Sequence, residues 1–386
     1  MMTRYAIAPS GFKESLSAEH AAEAIAEGVR RVVPDAETDL IPLVDGGEGT
    51  AAALATATGG ALLQHRATGP VGTPVDTHFA LLGSGEIGTA VVEMAAIAGL
   101  SLVPRDRRDP GATTTYGVGQ LIRAALDAGV PRILIGCGDS GTSDGGAGAL
   151  QALGARLLDA DGRELPRGGR HLARLSRIDT SGLDPRLFGT DLQVACNPYN
   201  VLCGPRGVAR VFGPQKGASP AQVEELDTAL ERWATILTRD FAVASDLRTG
   251  LGTGASGGLG AGLAALGAQL RPRFEVLLDH LDLDARLAAA DLVITAEGAL
   301  DHQTPRGKVP AEVARRAKAA GRPVLALAGT IGAGAREVRA MGVDAYAGIL
   351  PGPVTLQEAL ASGRENLTDA TERALELLRL GARLAA

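Results

Sequence analysis

The sequence has few aromatic residues, and this narrows the functions that it can perform. Phe, Trp and Tyr make up 3% of its 386 residues, so the core has to be built from Leu, Val, Ile and Ala. Proteins that bind nucleic acid by stacking bases on aromatic rings need more of them. The net charge is −6 and no block of basic residues is present, which also disfavours nucleic-acid binding. We therefore expect no nucleic-acid partner.

Cysteine is scarce as well. Cys137, Cys196 and Cys203 form no Cys-x-x-Cys pair, and an odd number of cysteines is typical of a reducing cytosol without a disulfide framework. The first residues lack the apolar segment of a signal peptide. Residues 251–270 are uncharged, but they are mainly Gly and Ala, so we interpret them as a glycine loop that leads into a packed helix. We expect a cytoplasmic protein with no membrane partner.

Glycine, in contrast, is abundant: the chain has 52, roughly double the usual share of about 7%, and they cluster in loops before helices. Apolar strands alternate with helical patterns, which predicts parallel sheets covered on both faces. The strands are predicted at 4–10, 38–43, 132–136, 290–298, 323–329 and 343–350. The fold class is therefore α/β.

The chain is also long enough for two domains, because one core rarely serves more than roughly 250–300 residues. Both chain ends share the pattern of buried strands. We predict that residues 1–70 and 285–386 form one discontinuous Rossmann-like or flavodoxin-like domain. Residues 71–284 would form a second α/β domain inserted in the first. The active site is expected in the cleft between domains, at the carboxyl ends of strands.

Two stretches repeat an Asp-Gly-Gly-x-Gly motif before a small apolar helix, beginning at Asp45 and at Asp144. A glycine turn at a helix N-terminus favours anions, whereas a carboxylate repels a phosphate unless a divalent metal lies between them. The motif therefore predicts Mg²⁺ ligands or proton acceptors beside bound phosphates. A third glycine loop lies at 252–258. The alternative is that each Asp caps a helix and the glycines only shape the turn.

Lysine is used sparingly. Only four of the 38 basic residues are lysine, and Lys13, Lys216 and Lys308 lie in loop-like contexts. A compact ammonium group that reaches a phosphate oxygen is a common requirement of phosphoryl transfer. Lys318 instead has the pattern of a solvated helix face.

Two more carboxylates, Glu297 and Asp301, follow a predicted strand and are candidates for metal coordination or substrate positioning. Other chemistries fit less well, because the chain has no P-loop motif and no nucleophile elbow with a plausible triad. The spacing of Gly136, Gly138 and Gly141 after a strand is that of a dinucleotide fingerprint, and an NAD-dependent dehydrogenase is one alternative. That fingerprint should enter its helix at once, whereas here the loop continues.

Taken together, these motifs resemble the glycerate kinase family that forms 2-phosphoglycerate. The resemblance covers nearly the whole chain and rests on APSGFKESLSA, DGGEGT, GCGDSGTSDGGAGALQALG, FGPQKGA and ADLVITAEGALDHQTPRGKVP. It implies a two-domain α/β architecture. It also implies ATP and Mg²⁺, with transfer of the γ-phosphoryl group to the 2-hydroxyl of D-glycerate.

The chain departs from this family's pattern in the probable site loops. Ser10 replaces an Asp and Glu14 a Gly, while Ala296 and Ala299 replace a Gly and an Arg. Asn197 stands at a position where the family has a carboxylate. These departures leave open a divergent kinase for a related small hydroxy acid, or a non-catalytic sensor that binds ATP without turnover.

The predicted site has four groups of residues. The catalytic candidates are Lys13, Asp45, Asp144, Lys216 and Lys308. The candidates for binding ATP phosphates are Gly136, Gly138, Gly141, Gly145, Gly146, Gly254 and Gly257. The substrate-binding candidates are Ser10, Gly46, Gly47, Arg206 and Arg306, and the metal candidates are Asp45, Asp144, Glu297 and Asp301. Which carboxylate accepts the proton stays open, as does the choice between a monomer and a homodimer.

Overall fold

A computed structural model describes residues 4–12, 15–83 and 88–385. Contacts between residues divide the chain into two compact units. The first unit consists of Met1–Asp45 and Leu278–Ala386, and the second of Gly46–Leu277. Each unit combines helices with its own sheet, which confirms the predicted α/β fold class.

The strands, in chain order, are β1 (Arg4–Ile7), β2 (Glu37–Leu40), β3 (Ala61–Thr68), β4 (Pro74–Leu81), β5 (Thr89–Glu93), β6 (Arg132–Gly136), β7 (Arg156–Leu158), β8 (Arg177–Asp179), β9 (Asp191–Cys196), β10 (Gln269–Pro272), β11 (Leu292–Leu300), β12 (Val324–Ile331) and β13 (Ala345–Gly348). The α-helices are α1 (Ala18–Val32), α2 (Thr50–Thr58), α3 (Ala95–Ala98), α4 (Tyr116–Asp127), α5 (Ala147–Ala152), α6 (Val208–Phe212), α7 (Pro220–Asp240), α8 (Ala255–Ala265), α9 (Arg273–Leu277), α10 (Leu283–Ala288), α11 (Val309–Ala319), α12 (Leu356–Ala361) and α13 (Gly363–Ala385).

The sheet of the first unit has the order β2-β1-β11-β12-β13, and every pairing in it is parallel. This is the flavodoxin-like order, one of the two that the sequence leaves open. The strand order reverses between β1 and β11. In doubly wound sheets, ligands bind beyond the carboxyl ends of the strands at such a reversal. The loops that follow these two strands are therefore the candidate ligand-binding edge of this unit.

The sheet of the second unit has the order β10-β9-β6-β5-β4-β3, parallel from β10 to β5 and antiparallel at β4 and β3. The division by contacts differs from the predicted domain bounds near 70 and 285. The difference arises because β3 pairs with β4 along its whole length, from Ala61 opposite Leu81 to Thr68 opposite Pro74. This pairing places residues 46–70 with the second unit.

Several helix boundaries follow from local sequence. The Ser17 side chain caps α1, which ends just before Pro34. Ser219 and Thr355 each form a capping box, at the starts of α7 and α12. The uncharged stretch 251–270 folds as a glycine loop followed by the buried helix α8. Within the described residues, no helix has both the length and the apolarity to cross a membrane.

Each unit has an aliphatic core, consistent with the scarcity of aromatic residues. Trp233 of α7 is an exception, since it is fully buried in the core of the second unit. Its indole nitrogen donates a hydrogen bond of 2.8 Å to the carbonyl oxygen of Gly145. The helix α7 thus packs against the second Asp-Gly-Gly loop and binds it through this hydrogen bond.

Candidate functional site

The first two glycine loops lie against each other in the second unit. A Cβ atom added to Gly138 would lie 2.4 Å from the Cα atom of Gly47, and one added to Gly136 would lie 3.0 Å from the carbonyl oxygen of Gly46. No side chain fits at position 138, because its neighbour there is backbone. The structure therefore brings four predicted site glycines together at the carboxyl end of β6.

Asp144, at the start of the second motif, is fully buried. Its carboxylate accepts hydrogen bonds from the amides of Thr115 (2.7 Å), Gly146 (3.1 Å) and Gly148 (3.2 Å), and from the Thr115 hydroxyl. Burial raises the pKa of this carboxyl, while the hydrogen bonds oppose the shift. The geometry favours the helix-capping alternative over the predicted metal or proton-accepting role, because the oxygens are already surrounded by donors.

The first loop has a comparable arrangement that sequence analysis missed. Glu93, at the carboxyl end of β5, is 1% exposed and accepts hydrogen bonds from the amides of Gly49 (3.0 Å) and Ala51 (2.9 Å). Burial raises its pKa to about 7. These amides belong to the N-terminus of α2. Both helix N-termini that we predicted to bind anions are thus already bonded to carboxylates of the protein. The sequence signal that could have identified Glu93 is an acidic residue at the end of an apolar strand.

Lys216 contacts the second loop, and its side chain is buried, with 3% of the residue exposed. Its ammonium group donates hydrogen bonds to the Ser140 hydroxyl (2.9 Å) and to the Thr142 carbonyl oxygen (2.6 Å). Burial lowers its pKa to about 7, and the nearby charge of Asp144 acts in the opposite direction. The predicted lysine is therefore an internal group of the loop, with a protonation state that changes near neutral pH.

The third glycine loop packs onto the second. Gly257 has a φ of +69°, and a Cβ atom there would lie 2.0 Å from the Thr142 carbonyl oxygen. The Gly145 amide donates a hydrogen bond of 3.0 Å to the Gly257 carbonyl oxygen. Gly141 and Gly254 are fixed by their own amides, which donate to backbone carbonyls outside these loops. The three glycine loops thus pack against one another through their backbones, and most of the predicted phosphate-binding glycines are buried.

In the first unit, three predicted residues meet at the reversal of the strand order. The ammonium group of Lys308 lies 3.7 Å from the Glu297 carboxylate and 3.4 Å from that of Asp301, and it donates to the Ala299 carbonyl oxygen at 3.0 Å. Glu297 also accepts a hydrogen bond of 2.8 Å from the Thr304 hydroxyl. Burial raises the pKa of Glu297 to about 7, although the charge of Lys308 opposes the shift. We call Glu297, Asp301 and Lys308 the charged cluster.

The charged cluster fits a metal only in part. Within the described ranges, no group of three or more His, Cys, Asp or Glu side chains is placed to hold a metal ion. Glu297 and Asp301 supply two carboxylates, but Lys308 already contacts both. Mg²⁺ commonly uses one or two carboxylates and completes its shell with phosphate oxygens and water. The donor set is therefore adequate for Mg²⁺ only when the nucleotide supplies the remaining ligands.

The other predicted residues are more dispersed. Ser10 lies beside the middle of β11, where its hydroxyl donates to the Ala296 carbonyl oxygen at 3.1 Å. Arg306 is exposed in the loop that carries the charged cluster, and Arg206 is exposed in a turn of the second unit. Asp45 is half-buried at the end of the first segment of its unit. Lys13, like the substituted position Glu14, lies outside the described residues.

Two of the sequence departures have a structural reading. Ala299 contributes its backbone carbonyl, rather than a side chain, to the contact with Lys308. Asn197 follows β9, and its side-chain oxygen accepts a hydrogen bond of 3.0 Å from the Tyr199 amide. A neutral side chain at position 197 is therefore sufficient to shape this turn.

Comparisons with known proteins identify the family. The profile of the glycerate kinase family matches residues 5–379, which is almost the whole chain. The chain belongs to the glycerate kinase family. Among curated relatives of this family, the glycerate kinase of Bacillus subtilis (strain 168) is 47% identical over 360 residues, 93% of either chain. The glycerate 2-kinase of Escherichia coli (strain K12) is 44% identical over 378 residues, 98% of either chain.

A solved structure agrees with this family assignment. The crystal structure of putative glycerate kinase 2 from Salmonella typhimurium LT2 is 46% identical in sequence and has a TM-score of 0.80. The match covers 99% of this chain and 100% of that one. Membership of a glycerate kinase family implies an ATP-dependent phosphotransferase with an alcohol acceptor, as the sequence predicts.

Proposed function

We propose that this glycerate kinase homologue transfers the γ-phosphoryl group of ATP to the 2-hydroxyl of D-glycerate and forms 2-phosphoglycerate. The observation that carries the proposal is the family match over residues 5–379, together with 44% identity to a glycerate 2-kinase over 98% of both chains. The charged cluster at the strand reversal of the first unit supplies candidate groups for the charge neutralisation that phosphoryl transfer requires.

The backbone of the second and third glycine loops is proposed to bind the ATP phosphates, and Ser10, Gly46 and Gly47 are proposed to contact the substrate. Neutralisation of the phosphate charge falls mainly to lysine, because the N-termini of α2 and α5 already bind Glu93 and Asp144. Lys308 and Lys13 are the proposed partners of the transferring group. An ammonium group in that position stabilises the charge that develops on the phosphoryl oxygens.

Mg²⁺ is proposed to bind to Glu297 and Asp301 together with phosphate oxygens of the nucleotide, and Asp45 is a further candidate ligand. The ion, when bound, would neutralise phosphate charge. Arg306 and Arg206 are the candidate clamps for the substrate carboxylate, because a guanidinium group binds a carboxylate through two parallel hydrogen bonds.

Coupled assay of ADP release tests this function. We expect turnover with ATP, Mg²⁺ and D-glycerate, and little with L-glycerate, glycolate, lactate or tartronate. Turnover with only one of the other acids would instead support a divergent kinase. ATP binding without turnover of any of these acids would contradict the proposal and favour the sensor.

The same assay tests the charged cluster. Lys308→Met should lower kcat by about 10²-fold or more, because the transition state loses a positive charge. Lys318→Met is the matched control, since Lys318 is an exposed lysine of α11 that forms an ion pair with Asp344 at 3.2 Å. Equal activity of the two variants would remove Lys308 from the site.

A further inference from the structure

The second glycine loop places a serine hydroxyl directly on a buried lysine. The Nζ atom of Lys216 lies 2.9 Å from Ser140 Oγ, and a second bond of 2.6 Å to the Thr142 carbonyl oxygen fixes the lysine from the other side. Lys216 is 3% exposed, whereas Ser140 is only partly buried. The serine therefore connects an internal amine to the surface of the loop.

The surroundings of Lys216 favour a neutral amine. No carboxylate of the described residues forms an ion pair with its Nζ atom. The charge of Asp144 raises the lysine pKa, but its oxygens are taken up by backbone amides and by Thr115. Burial outweighs this charge and lowers the pKa of Lys216 to about 7.

We propose that Ser140 and Lys216 form a proton relay that deprotonates the attacking hydroxyl of the substrate. The inference rests on the proposed kinase function. As the substrate hydroxyl gives its proton to Ser140 Oγ, the proton of Ser140 passes to Lys216 Nζ. The substrate oxygen forms a bond to the γ-phosphorus, and the bond from phosphorus to the ADP oxygen breaks with its electron pair left on ADP. The ammonium group then releases the proton to solvent.

This relay provides a base that the two buried carboxylates of these loops, Asp144 and Glu93, do not. Asp144 is enclosed by donors, and Glu93 is used by the amides of α2. A serine activated by lysine is an established catalytic arrangement on other folds. Sequence analysis selected Lys216 as a neutralising charge and did not select Ser140, because nothing in the sequence shows that the two side chains meet.

The test is the pH dependence of kcat, measured by ADP release from pH 5.5 to 9, for the wild type, Ser140→Ala, Lys216→Met and the double variant. Wild-type kcat should fall as the pH drops below about 7, because a protonated lysine cannot accept a further proton. Ser140→Ala should lower kcat by about 10²-fold. It should also lose the acidic limb and leave both KM values within about threefold. Ser101→Ala, at an exposed position, is the matched control.

The double variant should be no slower than the slower single variant, because both residues act in one relay. Lys216→Met removes a buried polar group, so its melting temperature must be recorded; Ser140→Ala tests the relay even if that variant does not fold. The relay is wrong if Ser140→Ala keeps kcat within threefold and retains the acidic limb. Both the relay and the proposed function are wrong if the wild type releases no ADP with any hydroxy acid.

Discussion

At the scale of single residues, buried ionisable side chains hold the glycine loops in place through hydrogen bonds. Glu93 and Asp144 each hold the N-terminus of a helix, and Lys216 holds the second loop through a carbonyl and a hydroxyl. A carboxylate at a helix N-terminus is stabilised by the helix dipole and by the free amides. The Asp of the repeated Asp-Gly-Gly motif thus has a different local role in each copy. Asp144 binds the N-terminal amides of α5, whereas the N-terminal amides of α2, after Asp45, bind Glu93.

Asp144→Asn should destabilise the fold by about 3 kcal/mol, because the amide nitrogen of Asn would face backbone N–H donors. Urea unfolding measures this change. Asp161→Asn, on an exposed loop, should have little effect. In Asp144→Asn, the Mg²⁺ concentration that gives half-maximal activity should be the same as in the wild type. A variant with normal stability that needs at least tenfold more Mg²⁺ would make Asp144 a metal ligand after all.

Glu93 should make stability depend on pH. Its pKa is raised from 4.5 to about 7, so between these values the folded protein keeps a proton that the unfolded chain has lost. The free energy of unfolding therefore falls as the pH rises through this window, by up to about 3 kcal/mol from this group. The measurement is the free energy of unfolding of the wild type and of Glu93→Gln at several pH values. The wild-type value minus the variant value should decrease from pH 4.5 to 7. A difference that does not vary with pH would contradict the assignment.

At the scale of elements, the start of α8 carries the clearest constraint. Its loop turns through consecutive residues with positive φ, and Gly257 touches the backbone of the second loop. Gly257→Ala should lower the free energy of unfolding by at least about 3 kcal/mol, through left-handed strain of about 1–2 kcal/mol and the clash with Thr142. Urea unfolding tests this.

Gly267→Ala separates strain from crowding. Gly267 follows the same helix and also has a positive φ, of +89°, but a Cβ atom there meets nothing within 4 Å. This variant should lose only about 1–2 kcal/mol. Equal losses in the two variants would show that the contact between the second and third loops contributes nothing to stability.

Elements were more predictable than contacts. The strand predicted at 132–136 was confirmed, because an apolar run acts over a few positions of the chain. Glu93 and Ser140 were missed because their partners are distant in sequence, 44 and 76 residues away. The roles assigned to the predicted site residues stay predictions.

At the scale of the whole molecule, the alternation of apolar strands and helices was sufficient to predict the α/β class, but not to choose between a Rossmann-like and a flavodoxin-like strand order. The bounds of the two units were less predictable. The sequence of residues 61–68, ALLQHRAT, does not indicate which sheet they join, and the pairing of β3 with β4 decides this. The family resemblance, which rests on motifs spread along the chain, was confirmed across residues 5–379.

The most direct test of the account is phosphorus NMR of the wild-type protein with ATP, Mg²⁺ and D-glycerate. We predict that the signal of 2-phosphoglycerate appears at the same rate as that of ADP, with the ATP γ-phosphate consumed in equal amount. Formation of 3-phosphoglycerate would contradict transfer to the 2-hydroxyl. Release of inorganic phosphate alone, or no consumption of ATP, would contradict the kinase function itself.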